Sequence, residues 1–130
     1  IMKAVNATTL DYTKNRKQFG QPIAKFQVLQ HRMADMFLHS EQAQSMSYLA
    51  AIKCVDPDRN ERRRALSAAK VIVGQASRFV AQQAVQLHGG MGMTDELMVS
   101  HYFKRLTAIE LTLGDVDFHT QQFIATWNAA

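Results

Sequence analysis

A chain of 130 residues and 14.7 kDa is the size of one domain or of a piece of one, which excludes a multidomain reading. Hydrophobic residues at 47%, charged residues at 20%, and only 2 prolines and 6 glycines exclude a disordered chain. The net charge of +4 permits an acidic partner, but the basic residues are scattered apart from Lys14, Arg16, Lys17 and Arg62-Arg63-Arg64, and no aromatic stripe runs among them, so nucleic acid is not an expected partner.

In chain order, Met2 to Asn15 reads as a leading helix, cut into at its start as if the chain were an excised segment. Arg16 to Lys25 is a polar, basic connection of the kind that carries function. Val28, Leu29, Met33, Met36, Phe37 and Leu38, then Ala43, Met46, Leu49, Ala50, Ile52 and Cys54, recur at helical spacing and predict one helix over about Phe26 to Val55, roughly 45 Å long. Cys54 is the only cysteine, which excludes a disulfide framework and a cysteine-held zinc and points to a reducing compartment, the cytoplasm. Asp56-Pro57-Asp58 stops that helix and offers a cap to the next.

The next helix runs over Arg59 to His88, with Leu66, Ala69, Val73, Ala76, Phe79, Val80, Ala84 and Leu87 inward. Its small residues, Gly74, Ala76 and Ser77 among them, allow close approach of a neighbouring helix. Arg62-Arg63-Arg64 in its first turn reads as a solvated face. Gly89-Gly90-Met91-Gly92-Met93 ends it, and by spacing alone is a helix terminator rather than a phosphate cradle. Thr94-Asp95-Glu96 opens a shorter helix ending near Arg105, Thr107 to Leu113 is a less regular connection, and Gly114 to Asn128 is a last helix. No stretch alternates with a period of two, so no sheet is expected, and no apolar run reaches the roughly 20 residues that span a bilayer. The five histidines lack metal-site spacing. The expected fold is all-α, an antiparallel four-helix bundle with a partial leading helix.

The run Arg16-Lys17-Gln18-Phe19-Gly20-Gln21-Pro22-Ile23, followed by Phe26-Gln27, resembles the R-x-Q-F-G-x-P-I-x-x-F-Q signature of the acyl-CoA dehydrogenase C-terminal domain. Some sixty residues on, Ala84-Val85-Gln86-Leu87-His88-Gly89-Gly90-Met91-Gly92 is similar to that family's A-x-Q-x-x-G-G-x-G segment. Met91 to Glu96 and His101 to Thr107 look most like the small subunit of two-subunit bacterial pimeloyl-CoA dehydrogenases. The resemblance covers nearly the whole chain. It implies the C-terminal helical domain of a longer FAD enzyme of fatty acid metabolism, inactive on its own. Such an enzyme removes two hydrogens across Cα and Cβ of an acyl-CoA and passes electrons to an electron-transfer flavoprotein. It would assemble as a homo- or hetero-oligomer, dimer or tetramer, with this domain contacting a neighbour's FAD.

By position, the resemblance implies Arg16 at the pyrophosphate, Gln18 and Phe19 along the adenine–ribose side, and Gln27 hydrogen-bonded to the cofactor. Gln86, His88, Gly89 and Gly90 would bring side chain and backbone up to it. Where many relatives carry a Glu before Gly-Thr as catalytic base, this chain has Leu113-Gly114-Asp115. Leu113 cannot take a proton, and Asp115 replaces a threonine at the cofactor. The base therefore lies upstream of Ile1 or on a partner subunit, in preference to Asp115, whose charge is ill placed beside phosphates. Two other readings are a non-catalytic partner subunit that completes its neighbour's FAD site and a freestanding helical interaction module.

Overall fold

Five helices account for most of residues 1–127, which are the residues described by the computed structural model. They are α1 (Met2–Asn15), α2 (Gln27–Lys53), α3 (Arg59–His88), α4 (Met98–Leu111) and α5 (Val116–Trp127). A hairpin of β1 (Lys17–Gln18) and β2 (Gln21–Pro22) and a 3₁₀ turn at Ile23–Lys25 join α1 to α2, and a 3₁₀ turn at Gly89–Met93 follows α3. Asn128, expected at the end of the last helix, lies outside the described residues.

The break between α2 and α3 follows the expected chemistry. Asp56 accepts a hydrogen bond from the Asp58 N–H at 3.0 Å and pairs with Lys53 at 2.7 Å, and Asp58 caps α3 by accepting from the N–H groups of Asn60 at 2.7 Å and Glu61 at 3.4 Å. The helix so started is the hub of the bundle, packed against each of the other four. Its small residues set the spacing: a Cβ on Gly74 would lie 2.7 Å from Val116 Cγ2. Val5, Met36, Val80, Ala81, Ala84, Leu87, Val99 and Leu106 form the buried core.

The structure departs from the sequence reading in four places. The connection at 16–25 contains a short antiparallel hairpin, with Lys17 opposite Pro22 and Gln18 opposite Gln21. Two-residue strands are too short to show alternation; the signal is the turn, where Phe19 (φ +54°) and Gly20 (φ +77°) both take positive φ as a type I′ turn requires. Second, α4 starts at Met98 and continues through 107–111, because Thr94-Asp95-Glu96 sits in a turn and the helix opens from Leu97 without a side-chain cap. Third, Leu66 is 40% exposed rather than inward, and much of the apolar set of α2, including Val28, Phe37, Leu38 and Ile52, faces outward. Fourth, the arginines at the start of α3 are tied down: Arg62 donates to the carbonyls of Asp56 and Pro57, Arg63 to Gln122, and Arg64 to Glu61 and to the Thr126 carbonyl. They fasten the inter-helix turn and α5 to α3.

Candidate functional site

Arg16 stands where α1 stops. Its N–H donates to the Tyr12 carbonyl and its own carbonyl accepts from the Ile23 N–H, both at 2.8 Å, so the backbone is held from two sides. Its exposed guanidinium enters none of the ion pairs among the described residues. Across from it α3 ends: Gly89 takes φ +59°, donates its N–H to the Gln86 carbonyl, and turns the chain into the 3₁₀ turn. Tyr12 clamps the two ends together, stacking on His88 with ring centroids 4.3 Å apart and donating its hydroxyl to the His88 carbonyl at 3.3 Å.

Between these ends opens a cleft of about 540 Å³. Of the nine residues expected at a cofactor, Arg16, Gln18, Gln86, His88, Gly89 and Gly90 line it, although some seventy residues separate the two runs. Three do not. Phe19 sits at the hairpin tip, 88% exposed, its ring edge-on to Phe26 at 6.0 Å. Gln27 is exposed at the first residue of α2. Asp115 precedes α5 and accepts from the Phe118 N–H at 2.8 Å, which makes it that helix's cap. Tyr12, Ile23, Leu29, Leu87 and Met91 complete the lining. Tyr12 was legible in principle: four residues before Arg16, it shares that residue's helix face.

Arg16 is the only lining residue with a full charge at neutral pH, and no carboxylate lines the cleft. The glycines divide by purpose. A Cβ on Gly92 would meet the Val85 carbonyl oxygen at 2.6 Å, so the fold itself demands glycine there. At Gly90 φ is not positive and nothing lies within 4 Å of the Cβ position, so the chain gives no reason for glycine. An open glycine facing a donor-rich, cationic cleft fits a phosphate group drawn close to the backbone.

His88 is 3% exposed, and its Nδ1 lies 2.8 Å from the Ala84 carbonyl. A carbonyl only accepts, so Nδ1 carries the proton and Nε2 is the acceptor in the neutral ring. Burial holds the imidazole below its ordinary pKa of 6.5, against a smaller upward pull from the Ala84 hydrogen bond. The unfolded chain then binds the proton more readily. The stability contribution is present above the unfolded pKa and is lost as pH falls below about 6.5 toward the folded value. Urea midpoints measured between about pH 7 and pH 5 should fall further in the wild type than in His88→Asn, which keeps the donor to Ala84 and does not titrate.

At the position where many relatives carry the catalytic Glu, Leu113 has φ +61° and an 87% exposed side chain. Its carbonyl accepts from His119 Nε2 at 3.0 Å, and Lys70 donates to the Thr112 carbonyl just before it at 2.7 Å. The nearby carboxylates are engaged: buried Glu110 pairs with Arg78 at 2.9 Å, and Asp115 caps α5. Among the described residues no group of three acidic, histidine or cysteine side chains is placed to hold a metal, and no helix is long and apolar enough to cross a membrane.

The model of the family described as acyl-CoA dehydrogenase, C-terminal domain, matches residues 1–126. The chain is 34% identical over 106 residues to the acyl-CoA dehydrogenase IpdE2 of Mycolicibacterium smegmatis, covering 82% of this chain and 32% of that protein. Among solved structures, an FAD complex of PigA superposes with a TM-score of 0.87 at 25% identity over 98% of this chain and 33% of its own. Butyryl-CoA dehydrogenase from Megasphaera elsdenii superposes with a TM-score of 0.88 at 26% identity over 98% and 33%. The chain thus spans about a third of the length of the relatives it matches.

Proposed function

The chain belongs to the acyl-CoA dehydrogenase family, matching its C-terminal domain, and on that footing we propose that it is the C-terminal part of a longer FAD-dependent enzyme that desaturates an acyl-CoA thioester between Cα and Cβ. The observation that carries the reading is the convergence of Arg16, Gln18, Gln86, His88, Gly89 and Gly90 on one cleft. Arg16 supplies a charge-assisted fork for the FAD diphosphate, the open backbone at Gly90 lets it approach, and Gln18 and Gln86 offer neutral hydrogen bonds beside it. Bound there, the flavin supplies the two-electron acceptor chemistry. This chain's own residues fix the diphosphate.

Phe19, Gln27 and Asp115 stand away from this cleft. The exposed turn of Phe19 and the start of α2 are read as contacts to the cofactor or to a neighbouring subunit in an oligomer, dimer or tetramer. An electron-transfer flavoprotein is the proposed electron acceptor, an acyl-CoA of fatty acid metabolism the substrate, and the cytoplasm the compartment.

The proton-abstracting base lies outside residues 1–127, because Leu113 has no lone pair and Asp115 is occupied as a cap. Asn caps helices as well as Asp does, so Asp115→Asn in the longer chain should keep its fold. Flavin reduction by acyl-CoA in a single turnover should slow by well under the roughly 10²–10⁴-fold that marks loss of a general base. A collapse of that rate at matched flavin content would place the base at Asp115.

A further inference from the structure

Resting on the reading of the cleft as a diphosphate site, we propose that His88 makes its occupancy proton-linked: the imidazole, neutral in the free protein, takes a proton from solvent when the diphosphate binds. The geometry leaves one place for that proton. Nδ1 keeps its hydrogen in both states because it faces the Ala84 carbonyl at 2.8 Å. Nε2 has no hydrogen-bond partner among the described residues, and it is not one of the buried polar atoms sealed from solvent. His88 is among the residues that line both the cleft and a second cavity of about 400 Å³. Protonation at Nε2 therefore breaks no existing bond and moves no atom of the ring. The stacked Tyr12 face at 4.3 Å tolerates the cation.

The charges facing the ring set the direction. From α1 come Asp11, Tyr12 and, at its end, Arg16; from the turn before α4 comes Glu96, and from α4 Tyr102. The elements bearing Ile23 and Leu29 present no charge there. Asp11 and Glu96 are solvent-exposed and line the second cavity, where water screens them, so burial governs the free protein and the ring is neutral. A diphosphate reverses this. It brings two negative charges into a space whose only formal charge is Arg16, and a second cation beside it becomes favourable.

The test uses the full-length chain stripped of flavin and titrated with ADP-ribose, a diphosphate diester with no titrating group near neutrality. Calorimetry at pH ~7 in MOPS and in Tris buffer, neither of which carries phosphate, should give different heats that report net proton uptake. The dissociation constant should rise several-fold from about pH 6 to about pH 8, within the roughly tenfold limit that one unit of pKa displacement sets. In His88→Asn both effects should vanish. Binding with equal heats and a flat pH profile in the wild type overturns the proton link and leaves the cleft reading standing, uptake that persists in His88→Asn also overturns it, and absence of binding overturns both. If the variant does not fold, the wild-type His88 imidazole followed by NMR decides: its pKa should rise on adding ADP-ribose, and an unchanged value overturns the proposal.

Discussion

Arg16→Ala in the full-length chain is expected to weaken flavin retention by about 2–3 kcal/mol, or roughly 30- to 150-fold in the dissociation constant, with no change in helix content. The size follows from the bond removed, since a hydrogen bond between a guanidinium and a phosphate oxygen is among the stronger ones a protein makes. The absence of structural damage follows from the local design. What holds this corner is backbone: the Arg16 N–H on the Tyr12 carbonyl and the Ile23 N–H on the Arg16 carbonyl, both untouched by the substitution. The guanidinium enters no ion pair among the described residues, so its loss leaves nothing buried and unpaired. Flavin absorbance per protein after purification, read beside far-ultraviolet circular dichroism, checks both halves. Full flavin content in the variant would remove Arg16 from the cofactor site.

Two glycines in one turn should respond oppositely. Gly92→Ala forces a methyl group to within 2.6 Å of the Val85 carbonyl oxygen and 3.1 Å of Val85 Cα. Both are backbone atoms of α3 that cannot rotate away, so the expected cost is at the upper end of the 1–3 kcal/mol typical of overpacking. Gly90→Ala meets nothing of the chain within 4 Å and does not require positive φ, so folding stability should hold or rise slightly. Its methyl group would project where the diphosphate is to approach, and flavin content should fall. Urea denaturation of both variants, with flavin content measured alongside, separates a glycine kept for packing from one kept for a ligand. Equal stability loss in the two would contradict the distinction.

Much of this was legible before the structure. The helical period of α3 and the Asp56-Pro57-Asp58 break are local signals, and Asp58 caps where its side chain must. The six cleft residues were legible as two motifs, but their meeting depends on α1 and α3 ending side by side, which periodicity does not encode. Residue type could not show Tyr12 as the clasp between those ends. On α2, apolar residues occur on both sides, so spacing could not tell the stripe of Met36, Ser40 and Ala43, which is buried, from Phe37 and Leu38, which are not. Phe19 follows Gln18 by one residue yet leaves the cleft, because a type I′ turn redirects the chain at that step. Asp115 reads in sequence as a substituted motif position, whereas in the fold its carboxylate has the local task of starting α5.

On the proposed reading, the cleft between Arg16 and Gly89-Gly90 receives the diphosphate of FAD. A crystal structure of the full-length chain with FAD bound tests it most directly. Diphosphate density is expected within hydrogen-bonding reach of the Arg16 guanidinium and in contact with the backbone at Gly90. FAD bound with its diphosphate away from both residues would contradict it.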